Sequence, residues 1–404
     1  MQRVAMLSVH TSPLAQPGSG DAGGMNVSVH ALASALARAG VGVDVLTRHE
    51  HPEQPPVVVV EPGYRVVHLD AGPCAPVPRH QFPELVAPFS EAARSQLERC
   101  GTDYDVLHAN YWVSGAVGHR LKHELDLPLV ATFHSLDRVR AEVGLDDEVT
   151  LRPRVEAEVV RCADLVVAAT DDEREQLVKL YGADPDRIEI VPQGVDPTVF
   201  SPGDRAAARR ALRLDDGPVL LFVGRIQPLK GVDLAIESLY RLSVPRATLL
   251  IVGGPSGPEG EAELQRAHQL VEELGLEAKV RFVPPQPHQS LATYYRASDV
   301  CIVPSRSESF GLVALEAAAC GTPVVAANVG GLRFVVENGM TGYLVDGRDP
   351  GDFAALVDRI LRDGAGSMPG RAVARAAGYR WDIAAARLRR QYDDLAVRAP
   401  VQCT

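Results

Sequence analysis

The sequence predicts an α/β protein of two domains, each built on a doubly wound sheet. At 404 residues the chain is longer than one ordinary hydrophobic core organises, so two domains are expected. In each half, short apolar runs that are typical of buried strands alternate with helical patterns. The turn-rich stretch from Pro192 to Gly203 interrupts this alternation and is interpreted as the linker. The predicted division is residues 1–196, residues 197–375 and a closing helical segment at residues 376–404.

Composition excludes several classes of protein. The net charge of -11 argues against an extended nucleic-acid surface. No apolar run reaches the roughly 18 residues of a membrane span, and no signal-peptide pattern opens the chain, so we expect a cytoplasmic protein without membrane insertion. The six cysteines show no paired spacing typical of a metal site. Three of them lie in apolar patterns and are expected to be buried thiols in a reducing compartment: Cys162, Cys301 and Cys320.

The first half opens with a strand at Val4–Val9, a loop rich in small residues and a helix at Asn26–Ala39. Gly40 is a typical helix stop, and Val41–Thr47 follows as the next strand. Strand, glycine-bearing loop, helix and strand form the opening unit of a doubly wound sheet. Further strands are predicted at Tyr64–Leu69, Val106–Ala109, Leu129–Phe133, Leu165–Ala169 and Ile188–Val191.

The second half repeats this alternation without repeating the sequence. Its strands are predicted at Val219–Val223, Thr248–Val252, Val280–Val283, Val300–Val303, Pro323–Ala326 and Tyr343–Val345. Its helices are predicted at Gly231–Arg241, Glu261–Leu274, Leu291–Ala297, Leu312–Cys320 and Pro350–Arg362. The tail from Ala372 to Val397 is predicted to form one or two closing helices.

Polar residues follow several strands of the first half, where doubly wound sheets bind their ligands. They include Asn110-Tyr111-Trp112, His134-Ser135 and Thr170-Asp171. His134 alone is also compatible with a structural, hydrogen-bonded role. Gly23-Gly24, just before the first helix, would let backbone amides approach a phosphate closely, and a flexible loop is the alternative.

In the second half, Glu308 follows a strand and Gly311 begins a helix, whose positive end favours an anion. Glu316 lies further along that helix, so the two carboxylates can reach opposite ends of a nucleotide-sized ligand. Arg225 and Lys230 follow an upstream strand, and together they would neutralise a diphosphate. For each residue alone, a cap or a solvated surface charge is the alternative.

The combination of Gly224-Arg225-x4-Lys230, Glu308-Ser309-Phe310-Gly311 and Glu316 resembles the donor site of retaining nucleotide-sugar glycosyltransferases of family 4. The resemblance covers nearly the whole chain, and the stretch from Leu7 to Val27 resembles the branch that acts in mycothiol biosynthesis. It implies the GT-B fold, in which two Rossmann-like domains face each other across a cleft. The C-terminal helix is then expected to pack back toward the first domain.

The resemblance also implies residue roles. Arg225 and Lys230 would hold the diphosphate, Glu316 would accept the ribose hydroxyls, and Glu308 and His134 would contact the transferred sugar, so that Arg225, Lys230, Glu308 and His134 form the catalytic set. The other implied donor-binding residues are Gly23, Gly24, Val283, Gln286, Ser309, Phe310, Gly311 and Leu312. The implied acceptor-binding residues are His10, Gln16, Pro17, Asp21, Asn26, Arg79, Tyr111, Ser135 and Arg152, with Arg154 as the alternative to Arg152.

The reaction implied is transfer of N-acetylglucosamine from UDP-N-acetylglucosamine to 1D-myo-inositol 3-phosphate. No metal or cofactor is expected to be required for the chemistry, while a structural Mg²⁺ and a homodimer are left open. One alternative is a family 4 enzyme with another UDP- or GDP-sugar and another acceptor, either a sugar phosphate, as in sucrose-phosphate synthases, or an antibiotic or thiol precursor. A non-catalytic nucleotide-sugar-binding protein is disfavoured, because Arg225, Lys230, Glu308 and Glu316 are all present.

Overall fold

The structure is a computed structural model that describes residues 2–99, 104–144 and 150–403. The chain divides into two compact units. The first contains Met1–Ala15, Met25–Pro192 and Trp381–Thr404, and the second contains Gln16–Gly24 and Gln193–Arg380. The short segment Gln16–Gly24 therefore belongs to the second unit, although most of that unit lies much later in the sequence.

The first unit is built on an eight-stranded sheet in the order β3-β4-β2-β1-β5-β6-β7-β8. All neighbouring strands are parallel except β3, which pairs antiparallel with β4 at the edge. The central strands are continuous apolar runs because helices cover both faces of a parallel sheet. The strands are β1 (Arg3–Ser8), β2 (Gly42–Arg48), β3 (Val57–Glu61), β4 (Tyr64–Leu69), β5 (Val106–Asn110), β6 (Leu129–Thr132), β7 (Leu165–Ala168) and β8 (Ile188–Ile190).

Six helices connect these strands among the residues described. The last of them begins with a side-chain cap, since the Thr170 side chain accepts a hydrogen bond from the Glu173 N–H. The helices are α1 (Gly24–Arg38), α2 (Phe82–Arg99), α3 (Trp112–Leu125), α4 (Asp137–Ala141), α5 (Arg152–Cys162) and α6 (Asp171–Tyr181).

The second unit has a six-stranded parallel sheet in the order β11-β10-β9-β12-β13-β14. Its strands are β9 (Val219–Val223), β10 (Thr248–Val252), β11 (Val280–Val283), β12 (Val300–Val303), β13 (Val324–Ala327) and β14 (Gly342–Val345). Its helices are α7 (Arg205–Ala211), α8 (Val232–Arg241), α9 (Gly260–Glu273), α10 (Leu291–Ala297), α11 (Leu312–Ala319), α12 (Leu332–Val335), α13 (Pro350–Asp363) and α14 (Met368–Ala376).

The C-terminal helix α15 (Trp381–Leu395) belongs to the first unit, as the sequence predicts. Its buried face, which includes Leu388, packs with α1 against one side of the first sheet. Tyr392 anchors it further, because its hydroxyl lies 2.6 Å from His108 Nδ1 in β5. The other ring nitrogen of His108 lies 2.8 Å from Thr132 Oγ1. Burial lowers the pKa of His108 to about 3, so the ring is neutral in this network.

The predicted strands are confirmed, with ends that differ by at most one residue. The sequence analysis missed β3. Two prolines precede this strand, and Val57 and Val59 are exposed on the sheet edge, so its valine run lacks the burial that makes a strand recognisable. Among the described residues, no helix is both long and apolar enough to cross a membrane.

The cysteines match the sequence prediction in part. Cys301 and Cys320 are buried free thiols, as predicted. The same prediction for Cys162 is wrong, because its sulfur pairs with that of Cys403, with 5.2 Å between the two Cα atoms. The sequence gives no hint of this pairing, since the two cysteines are 241 residues apart.

Candidate active site

The predicted donor residues surround the topological switch point of the second sheet. Strand β9 lies between β10 and β12, so the loops that leave β9 and β12 diverge and open a crevice between them. Arg225 and Lys230 follow β9, whereas Glu308 follows β12. The fold therefore brings the two cations and the carboxylate to one place, although they are far apart in sequence.

Lys230 and Glu308 form an ion pair at this switch point. Lys230 Nζ lies 2.6 Å from Glu308 Oε2, and each side chain is about one-fifth exposed, at 20% and 18%. Lys230 ends a short 3-10 turn, and this turn is tied to the loop after β12, because the Arg306 N–H donates to the Leu229 carbonyl at 2.8 Å. This hydrogen bond links the two backbone segments that carry the partners of the ion pair.

Arg225 lies against a stretch of backbone that has no side chain. A Cβ atom at Gly23 would lie only 3.0 Å from Arg225 Nε, so a side chain there would require the guanidinium to shift by a few tenths of an ångström. Arg225 Nη1 also donates to Ser256 Oγ at 3.4 Å. The neighbouring Gly24 faces Leu312, whose Cδ1 would be 3.7 Å from a Cβ atom. The predicted phosphate-binding glycines therefore lie beside Arg225 and the start of α11.

Helix α11 begins at this crevice. Its N-cap Gly311 has φ of 102°, a conformation that favours glycine, and a Cβ atom there would also force Leu332 Cδ2, 2.8 Å away, to shift. Phe310 is buried, with Phe334 and Tyr379 around its ring. Its side chain therefore belongs to the core, so Phe310 itself can meet a ligand only through its backbone. Helix N-termini carry the partial positive charge that attracts phosphate.

Glu316 is held by two residues that the sequence analysis did not assign to the site. Glu316 Oε1 lies 2.6 Å from His288 Nε2, and its Oε2 accepts from the Tyr295 hydroxyl at 2.8 Å. Tyr295 is fully buried, whereas His288 is partly exposed. Tyr295 lies in the predicted helix Leu291–Ala297, and a tyrosine buried on such a helix needs a partner for its hydroxyl. This requirement is the signal in the sequence that could have pointed to Tyr295. His288 follows a proline-rich loop and gave no such signal.

This pair predicts a pH-dependent stability. Burial tends to lower the pKa of His288, but the Glu316 carboxylate outweighs burial, and the net pKa is raised above 6.5. A raised folded-state pKa gives a contribution that is complete below the unfolded value of 6.5 and is lost as pH rises through the folded value. We therefore expect His288→Gln to lower the melting temperature most at about pH 6 and least at about pH 9. Differential scanning fluorimetry between about pH 6 and pH 9 measures the change in melting temperature. The exposed His51→Gln is the control, and a pH-independent effect of His288→Gln would contradict the prediction.

The loop after β11, which carries the implied donor-binding residues Val283 and Gln286, contacts the segment Gln16–Gly24. Gln16 Nε2 donates to the Gln286 carbonyl at 2.5 Å, and a Cβ atom at Gly18 would lie 3.3 Å from Pro285 Cβ. The Val283 carbonyl accepts from the Gly253 N–H at 3.0 Å, which fixes the start of this loop. Three of the predicted acceptor residues therefore lie in the second unit: Gln16, Pro17 and Asp21.

Most of the other predicted acceptor residues gather in the first unit, at the carboxyl ends of the neighbouring strands β1, β5 and β6. His10 follows β1 and stacks on Tyr111, which follows β5, with 4.5 Å between ring centroids. It also packs on Phe82, at 5.1 Å, next to the turn that carries Arg79. Asn26 is buried, and it donates to Thr11 Oγ1 and to the Ser12 carbonyl at 2.8 and 2.7 Å.

Arg152 joins this group from the start of α5. It is fully buried, and its Nε donates to Glu156 Oε1 at 2.7 Å. Its Nη1 donates to the Tyr111 hydroxyl at 3.0 Å, and its Nη2 donates to Ser135 Oγ at 3.0 Å. Arg154 instead points to solvent, with 79% of its side chain exposed in a surface pair with Glu158. The structure therefore brings together Tyr111, Ser135 and Arg152, and leaves Arg154 outside.

His134 follows β6, just before Ser135, and has a positive φ of 60°. Its Nε2 lies 2.9 Å from Asn110 Oδ1, so this nitrogen carries the proton and donates. Burial lowers the pKa of His134 to about 4. The neutral ring is thus a hydrogen-bonding group at neutral pH, and not a cation.

Two family models match this chain, one in each half. A family model described as Glycosyltransferase Family 4 matches residues 22–199, and one described as Glycosyl transferases group 1 matches residues 204–381. A D-inositol 3-phosphate glycosyltransferase of Geodermatophilus obscurus is 49% identical over 371 residues, which cover 89% of this chain and 82% of the relative. The same-named protein of Acidothermus cellulolyticus is 47% identical over 393 residues, with coverage of 94% and 88%.

Solved structures agree with the fold. A sucrose-phosphate synthase from Thermosynechococcus elongatus superposes with a TM-score of 0.91 at 36% identity, covering 98% of this chain and 99% of that one. The glycosyltransferase WaaG of lipopolysaccharide biosynthesis superposes with a TM-score of 0.72 at 18% identity, covering 98% and 100%. Both units are thus Rossmann-like domains of the GT-B type. The chain is a glycosyltransferase and belongs to family 4, among the relatives of the D-inositol 3-phosphate glycosyltransferases.

Proposed function

We propose that this enzyme transfers N-acetylglucosamine from UDP-N-acetylglucosamine to 1D-myo-inositol 3-phosphate, with retention of the anomeric configuration. The observation that carries the donor half is the convergence of Arg225 and the Lys230–Glu308 pair at the switch point of the second sheet. The acceptor half is supported by the relatives, which are D-inositol 3-phosphate glycosyltransferases at 47–49% identity.

The donor diphosphate is bound by two different cations. The planar guanidinium of Arg225 can hold two phosphate oxygens at once. The ammonium of Lys230 has three N–H donors, so one can stay on Glu308 while the others reach a phosphate. Backbone amides at the start of α11 and at Gly24 add partial positive charge. The charge that develops on the leaving UDP is neutralised by groups already in place, which is the usual source of large rate enhancements.

The nucleoside and the sugar are bound by the two carboxylates. A carboxylate has about four lone-pair sites. His288 and Tyr295 occupy one site on each oxygen of Glu316, which leaves the others for the two ribose hydroxyls. Glu308, which is partly exposed beside Lys230, would accept from hydroxyls of the sugar. This division places the ribose and the sugar on either side of the diphosphate.

The acceptor phosphate is proposed to bind the group formed by Tyr111, Ser135 and Arg152. The two hydroxyls and the guanidinium are all potential donors to phosphate oxygens, and Glu156 already balances part of the positive charge. Arg79 would supply a second cation. His10, Asp21 and Asn26 are proposed to contact the cyclitol hydroxyls. Asn26 does so from a position fixed by its bonds to Thr11 and Ser12.

The proposed chemistry needs no protein base. The acceptor hydroxyl oxygen forms a bond to the anomeric carbon on the face that UDP leaves, as the bond from that carbon to the phosphate oxygen breaks. The departing phosphate oxygen takes the hydroxyl proton, so atoms and charge balance. The enzyme contributes alignment of the two reactants and stabilisation of the leaving charge. His134, neutral and bonded to Asn110, orients the transferred sugar by hydrogen bonding.

The test is a UDP-release assay with UDP-N-acetylglucosamine, UDP-glucose and GDP-sugars, each with and without inositol 3-phosphate. We expect release only with UDP-N-acetylglucosamine and inositol 3-phosphate together, and a product with the donor's anomeric configuration by proton NMR. Release without this acceptor requirement, or an inverted product, would contradict the proposal.

A second function is favoured by one specific observation, the 0.91 TM-score and 36% identity to a sucrose-phosphate synthase over 98% of the chain. On that reading the donor is UDP-glucose and the acceptor is a sugar phosphate. The same Arg152 group would bind the acceptor phosphate, so the structure alone favours neither acceptor. UDP-glucose with a sugar phosphate as acceptor is therefore the competing pair of substrates in the assay.

A further inference from the structure

Four potential metal ligands meet on the first unit, away from the residues proposed to bind donor and acceptor. His119 and His123 lie one turn apart on α3, Cys162 ends α5, and Cys403 follows α15. One ligand atom from each residue lies within 4.8 Å of the other three. Cys403 Sγ is 3.1 Å from His123 Nε2 and 3.6 Å from His119 Nε2.

We propose that this cluster, with both cysteines reduced, is a structural Zn²⁺ site. Two cysteine thiolates and two histidine nitrogens are a common ligand set for tetrahedral structural zinc. Bond lengths of about 2.3 Å to sulfur and about 2.0 Å to nitrogen predict sulfur-to-nitrogen distances of roughly 3.5 Å. The sulfur-to-nitrogen distances of 3.1 and 3.6 Å in the structure need only small adjustments, whereas the two sulfurs, which are bonded here, must separate to roughly 3.8 Å after reduction. Each thiol releases one proton on binding, and the resulting centre is electrically neutral.

A disulfide between the two cysteines explains the position of fewer side chains in the cluster than a bound metal ion does. Cys162 and Cys403 pair as a disulfide in this structure. Such a bond accounts for two sulfurs but not for two imidazoles that converge on the same point. Histidines four residues apart on a helix project from one face, and this spacing recurs in zinc sites with the same ligand set. One bound metal ion accounts for all four side chains.

The helices that carry three of the ligands are packed closely. A Cβ atom at Gly115 of α3 would lie only 3.1 Å from both methyl carbons of Val159 in α5, so the two helices approach each other at this point. His119 is one turn beyond Gly115, and Cys162 is about one turn beyond Val159. The glycine contact therefore brings the histidine face of α3 to the end of α5.

Buried polar contacts hold the backbone on both sides of the sulfurs. Lys122 Nζ donates to the Cys162 carbonyl at 2.8 Å and to Asp164 Oδ2 at 2.7 Å. The other oxygen of Asp164 accepts from the Val401 N–H at 2.5 Å, two residues before Cys403. Lys122 and Asp164 neutralise each other, so Lys122 does not compete with the metal for the thiolates and Asp164 does not compete with the thiolates for the metal. The site is thus supported without the ion, which favours binding at little conformational cost.

The test uses the full chain, reduced and freed of metal, and titrated with Co²⁺ in the absence of oxygen. We expect one equivalent to bind, with thiolate-to-cobalt charge transfer in the near ultraviolet and the visible bands of a tetrahedral ion. Zn²⁺ should displace it and raise the melting temperature. Cys403→Ser and His123→Ala should each lower Zn²⁺ affinity by on the order of 100-fold.

The controls are Cys74→Ser and His51→Ala, which remove an exposed free cysteine and an exposed histidine outside the cluster. Both should bind Co²⁺ as the wild type does. The proposal is overturned if the reduced wild type shows no thiolate charge transfer, or if Cys403→Ser retains it in full. It is also overturned if mass spectrometry shows a Cys162–Cys403 disulfide and the reduced protein takes up no metal.

Discussion

Lys230→Ala is expected to lower kcat by roughly 100- to 1,000-fold, the usual cost of losing one group that stabilises a developing negative charge. Lys230 is held 2.6 Å from Glu308 and beside Arg225 at the switch point, where the diphosphate is proposed to leave. Its ammonium is the mobile charge of this site, and alanine leaves nothing in its place. Steady-state UDP release measures the effect.

The matched control for this variant is Lys279→Ala, which removes an exposed lysine of the same unit just before β11. Its kcat should equal that of the wild type. The melting temperature of Lys230→Ala should stay close to the wild-type value, because Glu308 remains partly exposed to water. A kcat within about twofold of wild type would contradict the role of Lys230 in stabilising the leaving charge.

Arg152→Ala is expected to destabilise the first unit by about 3–5 kcal/mol, because it leaves the fully buried Glu156 carboxylate without its cation. Arg154→Ala is its matched control on the same helix. Arg154 forms the same type of pair, four residues from Glu158, but at an exposed position, so its loss should cost about 1 kcal/mol or less. Both tryptophans, Trp112 and Trp381, lie in the first unit, so urea unfolding followed by tryptophan fluorescence reports on that unit. Equal losses for the two variants would contradict the buried charge network.

The role of Arg152 toward the acceptor needs a variant that keeps the buried charge balanced. Arg152→Lys retains a cation opposite Glu156 but loses the fork that reaches both Tyr111 and Ser135. We expect it to raise the KM for the phosphorylated acceptor while the donor KM stays unchanged. Equal increases in both constants would count against an acceptor-phosphate site at Arg152.

The sequence predicted the donor residues because their signals are local. Arg225 and Lys230 are five residues apart after one strand, and Glu308 and Glu316 are eight apart around one helix start. Pattern and resemblance are sufficient for such groups. The partners of these residues come from elsewhere: His288 and Tyr295 reach Glu316 from another loop and helix. Contacts of that kind depend on how helices pack, which the pattern of one segment does not contain.

The sequence left open whether Arg152 or Arg154 belongs to the acceptor residues, and their difference in burial answers this question. Arg152 and Arg154 are two residues apart on one helix, and each is followed four residues later by a glutamate. The sequence therefore does not distinguish them. On a helix, residues two apart face different directions, so one guanidinium is buried beside Glu156 and the other points to water. The membership of Gln16–Gly24 in the second unit was equally hidden, because it depends on contacts with Arg225 and Pro285.

The position of α15 has a consequence for biosynthesis on the ribosome. The second unit is complete once residue 380 has been made, whereas the first unit, although begun earlier, still lacks its last helix. Among the described residues, α1 and α15 are the helices whose buried side chains pack on the side of the first sheet that carries Val43 and Val106. The segment that completes the first domain is therefore synthesised after the whole of the second domain, against the usual amino-to-carboxyl order. A product that ends before residue 381 would lack α15 and would leave this apolar side of the sheet partly uncovered, so we expect it to be prone to aggregation.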